Sequence, residues 1–165
     1  GWPITQSWTA STLFTGLPPY SEDPYDSHYS IVADSHGNLH LAFLTNKQLM
    51  YMRYSATSGT WGAARALSSS TIQAAYPQVG IAGGNVMVAV NDLQSILMLQ
   101  SKDDGGHFTA TQALVHPAPA SGSSLYYGNP RVEMPAYSTS PVPVWQQFVD
   151  GSSQELLFFQ VPVLR

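Results

Sequence analysis

Tyr29-Ser30-Ile31-Val32 returns 47 residues later as Tyr76-Pro77-Gln78-Val79, and Gly37-Asn38 returns at the same spacing as Gly84-Asn85. Trp61 has its counterpart in Phe108, again 47 residues on. Three anchors in one phase define a repeat, and a period near 47 falls within the roughly 40–50 residues of a four-stranded propeller blade. A third copy starts at Asn129-Pro130-Arg131-Val132, 53 residues after the second, and so carries an insertion of about six.

Each complete copy divides into four short apolar segments separated by turn residues. In the first copy these are Ser30 to Ala33, Leu39 to Leu44, Gln48 to Tyr54 and Trp61 to Leu67. The second copy gives Pro77 to Ala82, Val86 to Asn91, Ser95 to Ser101 and Phe108 to Leu114. Leu39-His40-Leu41-Ala42-Phe43 and Leu49-Met50-Tyr51-Met52-Arg53-Tyr54 alternate with period two, and both faces are fairly apolar, as in a sheet covered on both sides. Asp34-Ser35-His36-Gly37-Asn38 and Gly83-Gly84-Asn85 supply the positive-φ residues of tight hairpins.

Composition agrees. Only 10% of the 165 residues are charged, while 12% are aromatic, with 13 Gly and 12 Pro. Few charges, many rings and frequent turn residues suit short strands and disfavour a helical bundle. The formal charge of −4 offers no basic patch for nucleic acid. No apolar run approaches the ~20 residues of a spanning helix, so membrane insertion is not expected. There is no cysteine and hence no disulfide or thiolate site. The first residue is Gly, which points to a processed or cut chain, any secretory signal having been removed.

The third copy supplies three segments, Pro130 to Pro135, Val142 to Phe148 and Gln154 to Gln160. A candidate for the fourth lies at the other end, where Ser7 to Leu13 resembles Thr60 to Leu67. The expected fold class is all-β: a β-propeller of four-stranded antiparallel blades, three blades per chain. The expected organisation is a blade-closing strand at 7–13, blades at 29–67 and 76–114, and an incomplete blade at 129–161. Propellers have about 4–8 blades. Two arrangements therefore stay open: a homodimer sharing blade strands to make six blades, or half of a longer chain.

Ser101-Lys102-Asp103-Asp104-Gly105-Gly106-His107-Phe108 fits the pattern Ser-x-Asp-x-Gly-x-x-Trp/Phe at every defined position. This resembles the Asp-box (bacterial neuraminidase) repeat of sialidase-like β-propellers. The stretch from Tyr54 to Trp61 keeps Gly59 and the aromatic residue but has no Asp. The resemblance implies a structural role for Ser101, Asp103, Gly105 and Phe108, on the face opposite the substrate cleft. Sialidases clamp a carboxylate with three arginines and use a Tyr–Glu nucleophile pair with an Asp acid/base. This chain has only Arg53, Arg65, Arg131 and Arg165, and Arg131-Val132-Glu133-Met134-Pro135 is a distant echo of the family's Arg-Ile-Pro signature. Sialidase activity is therefore disfavoured, and no catalytic residue is assigned.

A ligand site is expected on the long connections Phe14 to His28 and Val115 to Gly128, with Ser68 to Ala75 between them. Tyr20, Tyr25, Asp26 and His28 combine rings with hydrogen-bonding groups, and Tyr126, Tyr127, Asn129 and Arg131 form a second set. Rings stack on sugar faces and carboxylates accept hydroxyl hydrogen bonds, so a glycan or a protein is the expected ligand. Asp26 and Glu133 are the candidates for a hydrolytic pair. Asp34 and Asp92 are read as turn residues, and His36-x-x-x-His40 straddles a turn, so no metal pair is expected there. No phosphate-binding loop or nucleophile elbow occurs, and no cofactor is expected. The leading expectation is a non-catalytic ligand-binding propeller module, secreted or on the extracellular surface. The alternatives are a sialidase-like glycoside hydrolase whose site forms across a six-bladed ring, and an architectural domain of a larger surface protein.

Overall fold

Strand-forming β-branched and aromatic residues set between glycine turns fold each copy of the repeat into an antiparallel meander in the computed structural model, which describes residues 12, 29–45, 48–68, 74–92, 95–110, 114–115, 125–127, 131–133, 142–149 and 155–159. The first sheet holds β1 (Tyr29–Ala33), β2 (Leu39–Thr45), β3 (Gln48–Ser55), β4 (Thr60–Trp61) and β5 (Arg65–Ala66). The second holds β6 (Ala74–Ala82), β7 (Asn85–Asp92), β8 (Ser95–Ser101), β9 (Thr109–Ala110) and β10 (Leu114–Val115). The third holds β11 (Leu125–Tyr127), β12 (Arg131–Glu133), β13 (Val142–Val149) and β14 (Glu155–Phe159). All described pairings are antiparallel, and the described residues contain no helix and no closure of the sheets into a ring.

The fourth segment of each copy differs from expectation. Trp61 to Leu67 and Phe108 to Leu114 are not single strands but pairs of short ones, β4 with β5 and β9 with β10. In the first sheet Tyr54 pairs with Trp61 whereas Tyr51 pairs with Arg65, a slip of one residue. The second sheet repeats the slip between Leu99–Ala110 and Ile96–Leu114. One extra residue turns the remainder of a strand to the other face of its sheet. Trp61 thus stays beside Tyr54 on the outer face, with ring centroids 5.6 Å apart. Arg65 is switched to the inner face, where it lies over Tyr51.

The first strands slip as well. The register of β6 shifts between Ala75 and Gln78, at Tyr76-Pro77. Tyr76 takes a φ of 53° there. Pro77 is fully buried, and a bulge is where a strand tolerates a residue that cannot donate to the ladder. In the third sheet, β11 and β12 pair with one strand, β13, in registers one residue apart. Tyr126 and Tyr127, expected on the long 115–128 connection, therefore belong to β11 and prolong the first strand of the third sheet. Of the expected closing strand at 7–13 only Thr12 is described, exposed and outside any strand.

Successive sheets are joined through their first strands: β6 packs on β1 and β2, and β12 packs on β6 and β7. The Ser30 hydroxyl accepts a hydrogen bond from the Val79 N–H at 3.1 Å, tying β1 to β6. Between the first two sheets Ala42, Leu44, Leu49 and Tyr51 meet Val79, Ile81, Val86, Val88, Val90 and Leu99. In β7 every residue from Val86 to Val90 is buried, which removes the alternation of a half-exposed strand. β1 is the opposite case, with Tyr29 63% and Ile31 50% exposed.

Candidate functional site

Three turns meet at the seam between the first two sheets, at the ends of β1, β6 and β8. In the β1–β2 turn the Asp34 carboxylate accepts from the backbone N–H groups of His36 and Asn38, both at 2.8 Å, and from the Asn38 side-chain amide at 2.7 Å. This is the local hydrogen bonding that makes Asp a turn former. Gly37 completes the turn at a φ of 79°. The Asn38 carboxamide oxygen accepts from the Ala56 N–H at 3.0 Å, fixing the β3–β4 turn alongside. The β6–β7 turn is the pair Gly83-Gly84, with φ of 54° and 82°, as a two-residue hairpin of the primed type requires.

The third turn runs from Ser101 to Phe108. The buried Ser101 hydroxyl donates to Asp103 Oδ1 at 2.7 Å and accepts from the Gly105 N–H at 2.9 Å. Asp103 Oδ1 also accepts from the His107 N–H at 2.8 Å, and Oδ2 lies 2.5 Å from His107 Nδ1. The Ser101 hydrogen bond, with those from His107, holds the Asp103 carboxyl well below the usual carboxylate range. Asp104 takes a φ of 58°, and its N–H donates to the Gly84 carbonyl at 3.0 Å.

This turn crosses the seam. Arg53 Nη2 donates to Asp104 Oδ2, and Arg65 Nη1 donates to the Gly106 carbonyl. The Arg65 guanidinium lies 5.1 Å from the Tyr51 ring centroid and 5.2 Å from that of Phe108. Those two rings meet edge to face at 4.9 Å. Phe108 packs against the core the two sheets share.

Inside the seam His40 is fully buried on β2. Its Nδ1 lies 2.7 Å from the Tyr51 hydroxyl. Its Nε2 faces two carboxylates, 3.7 Å from Asp34 Oδ2 and 3.6 Å from Asp104 Oδ1, both too long for a hydrogen bond. Burial pushes the His40 imidazole below its ordinary value against the pull of Asp104 and Asp34, so it is neutral near pH 7. Burial alone would raise Asp34, but hydrogen bonds from Asn38 and His36 outweigh it and bring its carboxyl to about 2. Burial, opposed by Arg65 and Arg53, pushes the Tyr51 phenol up. A cavity of about 440 Å³ opens beside this group, walled by Ala33, Asp34, Ser35, His36, Ile81, Gly83, Gly84 and Asp104.

The cavity is not where the sequence placed a ligand. Tyr20, Tyr25, Asp26, His28 and Asn129 lie outside the described residues, as does the hydrolytic candidate Asp26. Tyr126 and Tyr127 stand on β11, Arg131 and Glu133 on β12. Of the expected connection from Ser68 to Ala75, Ala74 and Ala75 belong to the start of β6, whereas the cavity lies at the far end of that strand beside Ile81. Asp34 does hold a turn, but that turn also presents it to His40. Asp34, His40 and Asp104 have ligand atoms within 4.8 Å of one another. Period-two reading puts His40 on the same face as Ala42, and that is the one signal by which this group was legible. Asp104 comes from another copy of the repeat, with no local pattern to announce it. No protein-family model matches the chain, and no curated protein matches its sequence.

Proposed function

We propose that the chain is a segment of a β-propeller that acts as a binding module, taking a hydroxyl-rich ligand such as a glycan in the cavity between its first two sheets. The observation that carries the reading is the wall of the cavity, where the Asp34 and Asp104 carboxylates stand as hydrogen-bond acceptors. Hydrogen bonds from Asn38 and His36 hold the Asp34 carboxyl low, at about 2. A glycosidase acid needs the reverse shift. Ala33 and Ile81 give the same cavity an apolar patch for the C–H face of a sugar ring.

The propeller reading is supported by three meanders of one strand order and by first strands that lie side by side. The outer face of the first sheet is apolar too, carrying Ile31, Leu41 and Met52 in register, as a blade between two neighbours requires. Three blades are fewer than the ~4–8 of a ring; a second copy of the chain, or further blades in the same polypeptide, completes it. An Asp-box role for Ser101, Asp103, Gly105 and Phe108 fits the tethering of their turn across the seam.

The test of the binding reading is a titration of isotope-labelled protein with a mixture of neutral and acidic oligosaccharides. Saturable shifts at Ser35, His36, Gly83 and Gly84 are the expected result. Shifts confined to Tyr126, Tyr127 and Arg131 would move the site to the other end of the strands, and no shifts would end the sugar reading.

A further inference from the structure

The geometry points to a divalent metal site of the zinc or manganese kind, built by His40 Nε2, Asp34 Oδ2 and Asp104 Oδ1 on the wall of the inter-sheet cavity. His40 carries the argument. It is 0% exposed, its Nε2 has no hydrogen-bond partner among the described residues, and that atom is aimed between the two carboxylates. Buried polar atoms are nearly always satisfied, and one that is not calls for an explanation. The Tyr51 hydroxyl, 2.7 Å from Nδ1, holds the ring so that Nε2 faces the two carboxylates. In the tautomer whose Nδ1–H donates to Tyr51 Oη, Nε2 offers its lone pair to a cation held between the three, and an imidazole held by a hydrogen bond on its other nitrogen is the usual form of a histidine ligand.

The spacing fits. Donor atoms 3.6 and 3.7 Å apart, all within 4.8 Å, surround a point that an ion occupies at about 2.0–2.4 Å from each. One imidazole with two carboxylates suits Zn²⁺ or Mn²⁺ better than Mg²⁺ or Ca²⁺, which favour oxygen-only sets. The charges facing the site are Asp34 and Asp104 on one side and Arg53 on the other. Arg53 engages Oδ2 of Asp104 and leaves Oδ1 toward His40. One net negative charge remains to meet the ion. Because both carboxylates also line the cavity, the remaining coordination positions open onto it, as in ligand-binding sites and unlike closed structural ones.

The inference uses the same cavity as the proposed function but does not depend on a sugar occupying it. The test takes the chelator-stripped chain and titrates it calorimetrically with ZnCl₂, with CaCl₂ as control. One Zn²⁺ per chain and at least about tenfold weaker binding in Asp104→Asn are expected, since Asn tolerates the left-handed backbone at that position. Mn²⁺ added to isotope-labelled wild-type protein is expected to broaden the amides of Gly37, His40 and Gly105 before all others. That second measurement decides the matter even if the variant fails to fold. Absence of Zn²⁺ binding, unchanged affinity in Asp104→Asn, or Mn²⁺ broadening centred on the exposed Asp103–His107 pair would each overturn the site. A chain that takes the ion and ignores oligosaccharides keeps this inference and loses the sugar reading alone.

Discussion

Gly105 packs against the Tyr51 ring of the neighbouring sheet with no room between them for a Cβ. It also takes a φ of 81°, so two constraints from two sheets select glycine at one position. Gly105→Ala is expected to cost about 2–4 kcal/mol, the left-handed backbone and the clash adding together. Gly84 is the control, because its φ of 82° is similar but a Cβ there meets nothing within 4 Å. Gly84→Ala should cost only about 1–2 kcal/mol. Equal urea midpoints for the two variants would show that the contact with Tyr51 contributes nothing.

Removing the Tyr51 hydroxyl isolates its bond to His40. Tyr51→Phe retains the ring that meets Phe108 and Arg65 but leaves His40 Nδ1 buried without its partner. A loss of about 1–3 kcal/mol is expected, as for any buried polar atom stripped of its hydrogen bond. Chemical denaturation measures it, and an unchanged midpoint contradicts it.

Stability should fall in two pH windows. Burial lowers the His40 pKa from 6.5, so the unfolded chain gains a proton below that pH which the folded chain resists, and stability declines as the pH falls through this range. Asp34 acts lower down. Its contribution is complete above its unfolded value of 3.8 and is lost as the pH falls toward its folded value of about 2. Urea midpoints at about pH 7.5, 5.5 and 3 should step down twice in the wild type, while His40→Gln loses the upper step alone. A flat wild-type profile above about pH 5 would contradict the burial of a neutral imidazole.

Ile31, half exposed on β1, reports on association. If another blade seats on the outer face of the first sheet, Ile31→Glu places a charge in that contact and separates the copies. Light scattering is then expected to give twice 17.9 kDa for the wild type and a single copy for the variant, with the circular dichroism spectrum retained. A wild type that stays a single folded copy at all concentrations would rule out the paired ring.

The 47-residue repeat, its turn glycines and the period-two alternation were enough to place β1, β2, β3, β7 and β8 within one residue and to place the end of β6, whose start lies three residues before the expected Pro77, because strand and hairpin signals are local. The sequence also picked out the Ser101–Phe108 turn, whose hydrogen bonds close within eight residues. Tertiary structure decided what was non-local. The one-residue slips that break the fourth strands arise from pairing with β3 and β8, and they aim Arg65 at Tyr51. Asp34, His40 and Asp104 converge because two copies of the repeat pack face to face, and no spacing along the chain records which side chains then meet across the seam. Hydrogen bonds between near neighbours write themselves into the sequence. A contact between sheets depends on twist, slip and packing, which exist only once the chain has folded.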